Sequence, residues 1–324
     1  MNKRTSFSLL SSSTDRSVVQ SLNRSVEESD ALAVVHARYP VKLSAYVREQ
    51  LRSDPDGAWA KQALPSLDEL IEEPGMLADP FAEKTKAACC YGVKQRFPNR
   101  VLVMTSDQCA TNCRHCTRKG LLHRAEVIRT AKQLALAVAY VKRHPLVREV
   151  LLSGGDPLML TDAKVVAFVK AFASLPQIDA VRIGTRMPAV NPERITATLA
   201  KKLGAFKNVW VNTQFNHVSE LTPEAVLACG RLVEAGIPVS NQSVLLKGVN
   251  DSVEAMVALC SALQRARVRP YYVFQCDPIA GIAHFRVPLA KARRIARELP
   301  KHLGGLALPR FVRDLPGSPC KQGF

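Results

Sequence analysis

The sequence lacks long apolar runs: nowhere do its 324 residues approach the roughly 18 to 20 consecutive apolar residues that a membrane-spanning helix needs. The N-terminal stretch, residues 1–13, is polar and has no apolar core of the kind that a signal peptide requires. We therefore expect a cytoplasmic protein with no membrane partner. In that compartment its nine cysteines should be reduced thiols, metal ligands or catalytic groups, not disulfides.

Acidic and aromatic residues are also scarce. The chain has 28 acidic against 45 basic residues, a formal net charge of +17, and only 6% aromatic residues. A basic chain often binds nucleic acid, but its charge also suits small anions such as phosphates and carboxylates. The basic residues are spread along the chain, and we find no cluster of aromatic residues among them, which RNA-binding modules usually have. We therefore do not expect nucleic acid as a partner.

The chain divides into two regions of different texture. Residues 1–95 predict a helical N-terminal region, in which Ser66 and Glu69 have the spacing of a capping box. Residues 96–324 form a predicted core, where short apolar runs alternate with longer amphipathic segments. The predicted strands are 101–105, 149–152, 180–184, 209–213, 238–245 and 269–274. The predicted helices lie near 125–143, 161–173, 192–203, 222–235, 251–265 and 287–299.

Six strand–helix units in sequence predict an α/β fold, with a parallel sheet that is open or curled into a partial (β/α)6 barrel and helices on its outside. In such folds the reactive groups collect at the carboxyl ends of the strands. Three cysteines, Cys109, Cys113 and Cys116, directly follow the first predicted strand. Thiolates are the soft ligands that iron–sulfur clusters require, and three ligands would leave one iron of a four-iron cluster open.

Two other interpretations of this loop remain. One is a zinc site with His115 or His123 as the fourth ligand, although zinc sites usually show paired Cys-x2-Cys segments and a second pair is missing. The other is that the cysteines pack as small apolar residues, which the polar composition of the loop disfavours. The Cys-x3-Cys-x2-Cys spacing after a strand resembles the radical S-adenosylmethionine (SAM) superfamily, where such a loop holds a [4Fe-4S] cluster whose open iron binds SAM.

A Ser-Gly-Gly-Asp motif at 153–156 ends the second predicted strand. By itself it is a weak signal, most often a turn, although glycines let a ligand approach the backbone and an aspartate can accept hydrogen bonds from an ammonium group. After a cysteine loop of this spacing, it resembles the superfamily's segment that contacts the amino group of SAM.

Further motifs resemble the lysine 2,3-aminomutase family, from about residue 79 to the C-terminus. They lie at 101–118, 151–158, 182–186, 212–217, 241–251, 269–277, 284–286 and 314–317. Members of that family use SAM, the cluster and pyridoxal 5′-phosphate (PLP) to move an amino group from C2 to C3 of an amino acid. The resemblance therefore implies an isomerase with a radical SAM partial barrel.

The resemblance also assigns roles to single residues. The expected cluster ligands are Cys109, Cys113 and Cys116. The expected cofactor contacts are Ser153, Gly154, Gly155, Asp156, Gln242, Arg96, Arg100 and Lys321. Among these, Lys321 is the catalytic lysine that binds PLP, and the two arginines bind its phosphate. The alternatives are that Lys321 is a solvated lysine of the C-terminal tail and that Arg96 and Arg100 are surface arginines. His217 matches another polar position, although it could simply cap the end of the fourth strand.

The substrate contacts implied by the family are Arg118, for the carboxylate, and Asp277 with Asp314, for a second ammonium group. Either aspartate alone could be a helix cap or half of a surface ion pair. Both together indicate a cationic amino acid, lysine first and arginine second, because a buried cation needs anionic partners. The implied reaction converts L-lysine to β-lysine, with a flavodoxin or ferredoxin-type protein as electron donor.

Two departures from the family and several alternatives stay open. Longer members carry C-terminal cysteines that bind a structural zinc with a cysteine in the barrel, but here that position is Ser252 and the sequence stops at Phe324. We expect no structural zinc and a different or weaker homo-oligomer. The alternatives are another amino acid substrate, supply of β-lysine for elongation factor P, a radical SAM enzyme that modifies RNA, or a non-catalytic iron–sulfur or zinc protein that binds nucleic acid.

Overall fold

The computed structural model describes residues 26–54, 57–79, 88–121, 127–315 and 317–324. Ten strands form one sheet in chain order. They are β1 Ala88–Cys90, β2 Val93–Phe97, β3 Arg100–Ser106, β4 Glu149–Gly154, β5 Ala180–Gly184, β6 Val209–Thr213, β7 Val239–Leu245, β8 Arg269–Gln275, β9 Arg310–Arg313 and β10 Gln322–Gly323. Strands β3 to β9 are parallel, and the pairs β1–β2, β2–β3 and β9–β10 are antiparallel.

Helices connect the parallel strands. The α-helices of the described residues are α1 Val26–Arg38, α2 Ala45–Ser53, α3 Ala58–Ala63, α4 Ala131–Arg143, α5 Asp162–Ala173, α6 Met187–Val190, α7 Ala197–Gly204, α8 Pro223–Glu234, α9 Val253–Arg265 and α10 Leu289–Glu298. Their starts follow local rules: Thr130 and Gln133 form a capping box at α4, and Thr222 caps α8, which begins with Pro223. None of the helices described is long and apolar enough to cross a membrane.

The core lies between the parallel sheet and its helices. Because side chains alternate along a strand, Leu152 of β4 and Ile183 of β5 point outward into a buried cluster that includes Phe172 of α5. Their neighbours Leu151 and Arg182 point the other way, into a cavity on the inner face of the sheet. The alternation therefore separates the hydrophobic core, which stabilises the fold, from the polar cavity.

The predicted α/β fold with a parallel, barrel-like sheet is confirmed. All six predicted strands are present, and those at 180–184 and 209–213 have the predicted bounds. The prediction missed a seventh parallel strand, β9, because it has only four residues and begins and ends with arginine. The helix predicted at 192–203 is instead a 3-10 turn, Pro192–Arg194, followed by α7. The helix near 125–143 begins at Ala131, and residues 122–126 lie outside the described residues.

In the N-terminal region, α1 to α3 are followed by a single 3-10 turn, Leu67–Leu70, with the expected capping box between Ser66 and Glu69. Residues 1–25 and 80–87 lie outside the described residues. Strand β2 runs across the boundary that we placed at residue 95, so the division into two regions stays a prediction.

Candidate active site

One cavity of about 410 Å³ lies on the inner face of the parallel sheet. It brings together every residue that the sequence analysis assigned to a cofactor, a metal or the substrate. These residues are Arg96, Arg100, Cys109, Cys113, Cys116, Arg118, Ser153, Gly154, Gly155, Asp156, Gln242, Asp277, Asp314 and Lys321. They come from β2, from five parallel strands or the loops that follow them, and from the segment before β10. This convergence makes the cavity the candidate active site.

The cysteine loop follows β3 at the carboxyl edge of the sheet. Cys109, Cys113 and Cys116 are unpaired, half-buried thiols that face the cavity. Burial raises the pKa of Cys109 above its usual value, and burial with the neighbouring Cys113 raises the pKa of Cys116 to about 11. Such thiols become thiolates when a bound cation compensates their charge. The donor set, three soft ligands on one loop, fits an iron–sulfur cluster.

A site for a single metal ion is less well supported. Among the residues that the structure describes, no three His, Cys, Asp or Glu side chains are placed to hold one ion together. His115 makes contacts of a different kind, because its Nε2 accepts hydrogen bonds from the side-chain amides of Gln214 and Asn216 at 3.1 and 3.2 Å. His123, the other candidate for a fourth zinc ligand, lies outside the described residues.

Arg186 has no role predicted from its sequence motif, yet this residue contacts the cysteine loop directly. Its Nη1 donates a hydrogen bond to Cys113 Sγ at 2.8 Å, and its Nη2 donates to Gln62 Oε1 at 2.8 Å and pairs with Glu220. The side chain is nearly buried, with 8% of the residue exposed. Arg186 stands in the 182–186 motif that resembles the family, which was the only available signal.

The N-terminal region holds the cysteine loop from the other side. Arg114 Nε donates a hydrogen bond to Glu69 Oε1 at 2.8 Å, and Lys119 Nζ lies 2.7 Å from Glu69 Oε2. The main-chain N–H of Arg114 also donates to Gln62 O at 2.8 Å. Burial raises the pKa of Glu69, but the hydrogen bonds and charges of Arg114 and Lys119 outweigh burial and hold the pKa below its usual value. Glu69 is therefore a buried carboxylate that neutralises two cations of the loop.

Replacing Glu69 by alanine should destabilise the protein strongly, because two buried cations would lose their counter-ion. We expect the free energy of unfolding to fall by about 3 to 5 kcal/mol, measured by urea denaturation. The matched control is Glu49→Ala, which removes an exposed ion pair with Arg52 and should change stability by about 0 to 1 kcal/mol. Equal effects in the two variants would show that Glu69 does not anchor the loop.

The Ser-Gly-Gly-Asp segment packs against the cysteine loop. A Cβ atom on Gly155 would lie 2.3 Å from Gln108 O, and one on Gly154, whose φ is +122°, would lie 2.2 Å from Ser106 O. Both glycines are thus required by contact with the chain itself, whereas the motif alone predicts that they leave room for a ligand. The Gly155 N–H donates to Ser106 O at 2.6 Å, so the end of β4 fixes where the cysteine loop begins.

Asp156 is buried, and its carboxylate accepts hydrogen bonds from within the protein. The donors are the Thr185 hydroxyl, the Arg186 N–H and the Leu158 N–H, at 2.8, 2.8 and 2.9 Å. Burial raises the pKa of Asp156, and these hydrogen bonds oppose the rise. Asp156 therefore orients the turn that carries Arg186. Its contact with SAM stays a prediction.

Lys321 lies inside the cavity and is not a solvated tail residue. Its Nζ is 3.3 Å from Asp314 Oδ2, and Arg96 Nη2 donates to Asp314 Oδ1 at 3.0 Å. The Lys321 ammonium lies 5.4 and 5.5 Å from the ring centroids of Phe97 and Phe274. Pairing of β10 with β9 begins at the next residue, where Gln322 faces Arg313. The final strand therefore anchors the lysine.

Asp277 follows the end of β8 and lies near the charges of Asp314, Arg96 and Lys321. Burial, followed by repulsion from the Asp314 carboxylate, raises the pKa of Asp277 to about 7, while Arg96 and Lys321 oppose the rise. A buried carboxyl group whose pKa is raised by a neighbouring carboxylate lies in a site that a further cation would stabilise.

The cavity also presents buried polar atoms that have no hydrogen-bond partner among the described residues. They are Arg100 Nε, His115 Nδ1, Arg182 Nε, Arg186 Nε, Asn212 Oδ1, Thr213 Oγ1 and Gln275 Oε1. Because buried polar groups are normally satisfied, these atoms fit a cavity that binds polar ligands. The Arg100 guanidinium lies 4.5 Å from the ring centroid of Phe97. His217, in contrast, caps the 3-10 turn Val218–Glu220 through its ring nitrogen.

The parallel α/β sheet and its cysteine loop define a radical SAM protein, and residues 103–260 match the family model described as the Radical SAM superfamily. The fold resembles that of a radical SAM methyltransferase from Sphaerobacter thermophilus, with a TM-score of 0.52, 18% sequence identity, and coverage of 70% of this chain and 71% of that one. At this identity the similarity concerns the fold alone.

Sequence comparison with known proteins identifies the family within this class. The chain is 43% identical to L-lysine 2,3-aminomutase of Acetoanaerobium sticklandii, over 82% of this chain and 64% of that protein. It is 33% identical to L-lysine 2,3-aminomutase of Escherichia coli, over 86% of this chain and 80% of that protein. The protein belongs to the lysine 2,3-aminomutase family. It spans less than two thirds of the length of the Acetoanaerobium relative, so its own activity is a matter for proposal.

Proposed function

We propose that this protein is a PLP-dependent 2,3-aminomutase that converts L-lysine to β-lysine. The observation that carries the proposal is a single cavity in which the cysteine loop faces a lysine, Lys321, and two carboxylates, Asp277 and Asp314. This reaction needs three parts: a site that generates a radical, a residue that can bind PLP covalently, and a site that binds a cationic side chain. The family membership supports the same assignment.

The residues present fit each cofactor. Cys109, Cys113 and Cys116 would hold the cluster, with SAM beside the Ser-Gly-Gly-Asp segment, and Lys321 would bind PLP. When bound, the reduced cluster and SAM supply the radical, and PLP carries the migrating nitrogen. The protein holds the reactants in place and keeps water out of the cavity, which a radical reaction requires.

The two ends of the substrate would be held by opposite charges. Arg118, whose Nη1 donates to Gly154 O at 3.4 Å, lies beside the cysteine loop and would bind the substrate carboxylate as a planar, bidentate donor. Arg96 and Arg100 would bind the phosphate of PLP. Lys321 cannot both bind PLP covalently and remain an ammonium paired with Asp314.

While Lys321 is bound to PLP, the carboxylates of Asp277 and Asp314 would lie near the guanidinium groups of Arg96 and Arg286. Two buried carboxylates in this part of the cavity would favour a substrate side chain with a positive charge. Lysine fits this requirement, and arginine is the second candidate. The electron would come from a flavodoxin or ferredoxin-type protein of the cytoplasm, where the cysteines remain reduced.

The test of the proposed function is anaerobic reconstitution. The protein is loaded with iron, sulfide and PLP, mixed with SAM, a reductant and L-lysine, and β-lysine is followed by mass spectrometry. We expect β-lysine to form. Cleavage of SAM to 5′-deoxyadenosine without β-lysine would refute the substrate, and L-arginine would be tried next. Absence of both products would refute the radical chemistry itself.

Replacing Asp277 by asparagine should impair the use of lysine while PLP still binds. Loss of one partner of a buried charged contact costs about 2 to 5 kcal/mol, so we expect kcat/KM for lysine to fall at least about thirtyfold. The visible absorbance of bound PLP should be unchanged. The control Asp179→Asn removes an exposed carboxylate that pairs with Arg148 and should leave turnover as it is. Normal turnover by Asp277→Asn would refute the role of this carboxylate.

The raised pKa of Asp277, about 7, gives the reaction a pH dependence. Below this pH the carboxyl group is protonated and loses the charge that attracts a cationic substrate, so kcat/KM for lysine should decline as the pH falls through about 7. The stability of the ligand-free protein should depend on pH in the opposite direction. The contribution of a group with a raised folded-state pKa is present below its unfolded pKa, about 4, and is lost as the pH rises through 7. Above pH 7, ligand-free Asp277→Asn should therefore unfold at a higher temperature than the wild type.

A further inference from the structure

We propose that Arg186 is a positioning residue that donates a charged hydrogen bond to the thiolate of Cys113 and thereby makes the iron–sulfur cluster easier to reduce. The proposal rests on the proposed function only in requiring that the cluster is bound. It concerns the electron-transfer step that precedes any chemistry on the substrate, so it holds whichever amino acid the enzyme uses.

The guanidinium of Arg186 is fixed by contacts on both sides. Nη1 reaches Cys113 Sγ at 2.8 Å, while Nη2 is held by Gln62 Oε1 at 2.8 Å and by the Glu220 carboxylate. The main-chain N–H of Arg186 donates to Asp156 Oδ2 at 2.8 Å. These contacts come from the N-terminal region, the segment after β4 and the segment after β6. A side chain held in this way cannot easily turn away from the sulfur.

Glu220 is itself bound from several directions. Its carboxylate accepts hydrogen bonds from the main-chain N–H groups of Asn216 and His217, and its side chain is 0% exposed. Glu220 therefore neutralises the arginine for folding, but it does so at Nη2, whereas Nη1 donates to Cys113.

Reduction adds one electron to the cluster, from the 2+ to the 1+ state, and moves no proton. Positive charge and hydrogen bonds at the ligand sulfurs stabilise the reduced form and raise the reduction potential. The effect is large here because a buried charge is only weakly screened. By comparison, Cys116 Sγ accepts its hydrogen bond from the neutral main-chain N–H of Arg118 at 3.3 Å. The charged contact at Cys113 should therefore have the larger influence.

The test measures the midpoint potential of the reconstituted cluster by titration with dithionite, followed by electron paramagnetic resonance. The main variant is the double replacement R186Q/E220Q, which removes the buried pair as a unit and avoids leaving Glu220 buried without its counter-ion. We expect full iron content and a more negative midpoint. At a fixed ambient potential the ratio of reduced to oxidised cluster should fall about tenfold, which corresponds to about 59 mV for a one-electron couple.

Three single variants separate charge from structure. E220Q keeps the arginine but removes the opposing charge, so its midpoint should be more positive than that of the wild type. R186K keeps the charge with a less suitable donor geometry, so its midpoint should lie between those of the wild type and the double variant. The control R148Q removes an exposed arginine paired with Asp179 and should leave the midpoint unchanged.

An unchanged midpoint in R186Q/E220Q, with full iron content, would show that Arg186 has a structural role alone and would overturn the proposal. If the double variant takes up no iron, E220Q decides: a wild-type midpoint in E220Q would show that the charge of this pair does not influence the cluster and would overturn the proposal, and a more positive one would support it. If the wild type itself takes up no iron, the proposed function fails too, and the iron content distinguishes that failure from the first.

Discussion

Replacing Cys116 by alanine should abolish cluster binding and, with it, the cleavage of SAM. All three cysteines of the loop face the cavity, and each would ligate one iron, so the loss of one thiolate leaves the loop with two ligands for a four-iron cluster. We expect the iron content after reconstitution to fall to background, and 5′-deoxyadenosine to become undetectable in a mass-spectrometric assay. The same result is expected for Cys109→Ala and Cys113→Ala.

A matched control is available in the same chain. Cys260 is a buried thiol of helix α9 that packs in the hydrophobic core, with 1% exposure. Cys260→Ala should lose some stability to the small cavity that it creates, but it should keep full iron content and SAM cleavage. If Cys116→Ala kept its iron while Cys260→Ala lost it, the assignment of the cluster to this loop would be wrong.

Much of the fold could be predicted because its signals are local. Strands β5 and β6 are short apolar segments between polar turns. The start of α8 is indicated by Thr222 and Pro223, whose effects act within one helical turn. The short strand β9 escaped because Phe311 and Val312 are its only apolar residues, and its position in the sheet depends on β8, more than thirty residues earlier in the chain.

The cavity could be predicted residue by residue because its chemistry lies in motifs, but the contacts that hold those motifs could not. Glu69 was expected to form a capping box with Ser66, and it does so at a 3-10 turn. The same carboxylate also neutralises Arg114, which is 45 residues away. Arg186 reaches Cys113 across 73 residues. Pairings of this kind depend on how the sheet brings distant segments together, and no periodicity or spacing in one sequence encodes them.

Replacing Lys321 by alanine should abolish covalent PLP binding and the aminomutase reaction together. The lysine lies within the cavity, 3.3 Å from Asp314, with its side chain 21% exposed, and its amine is the nucleophile that PLP needs. We expect the visible absorbance of bound PLP to disappear and β-lysine formation to fall below detection. Because the cysteine loop is untouched, the iron content should remain that of the wild type.

Borohydride reduction makes the prediction specific to one residue. In the wild type it should fix PLP on the C-terminal peptide that contains Lys321, which mass spectrometry can identify. The control Lys301→Ala removes an exposed lysine that pairs with Glu298 and should keep both the label and the activity. A label that persists on another lysine in Lys321→Ala, with β-lysine still formed, would place the PLP site elsewhere. The ion pair between Lys321 and Asp314 would then be a structural contact that holds the start of β10 against the end of β9.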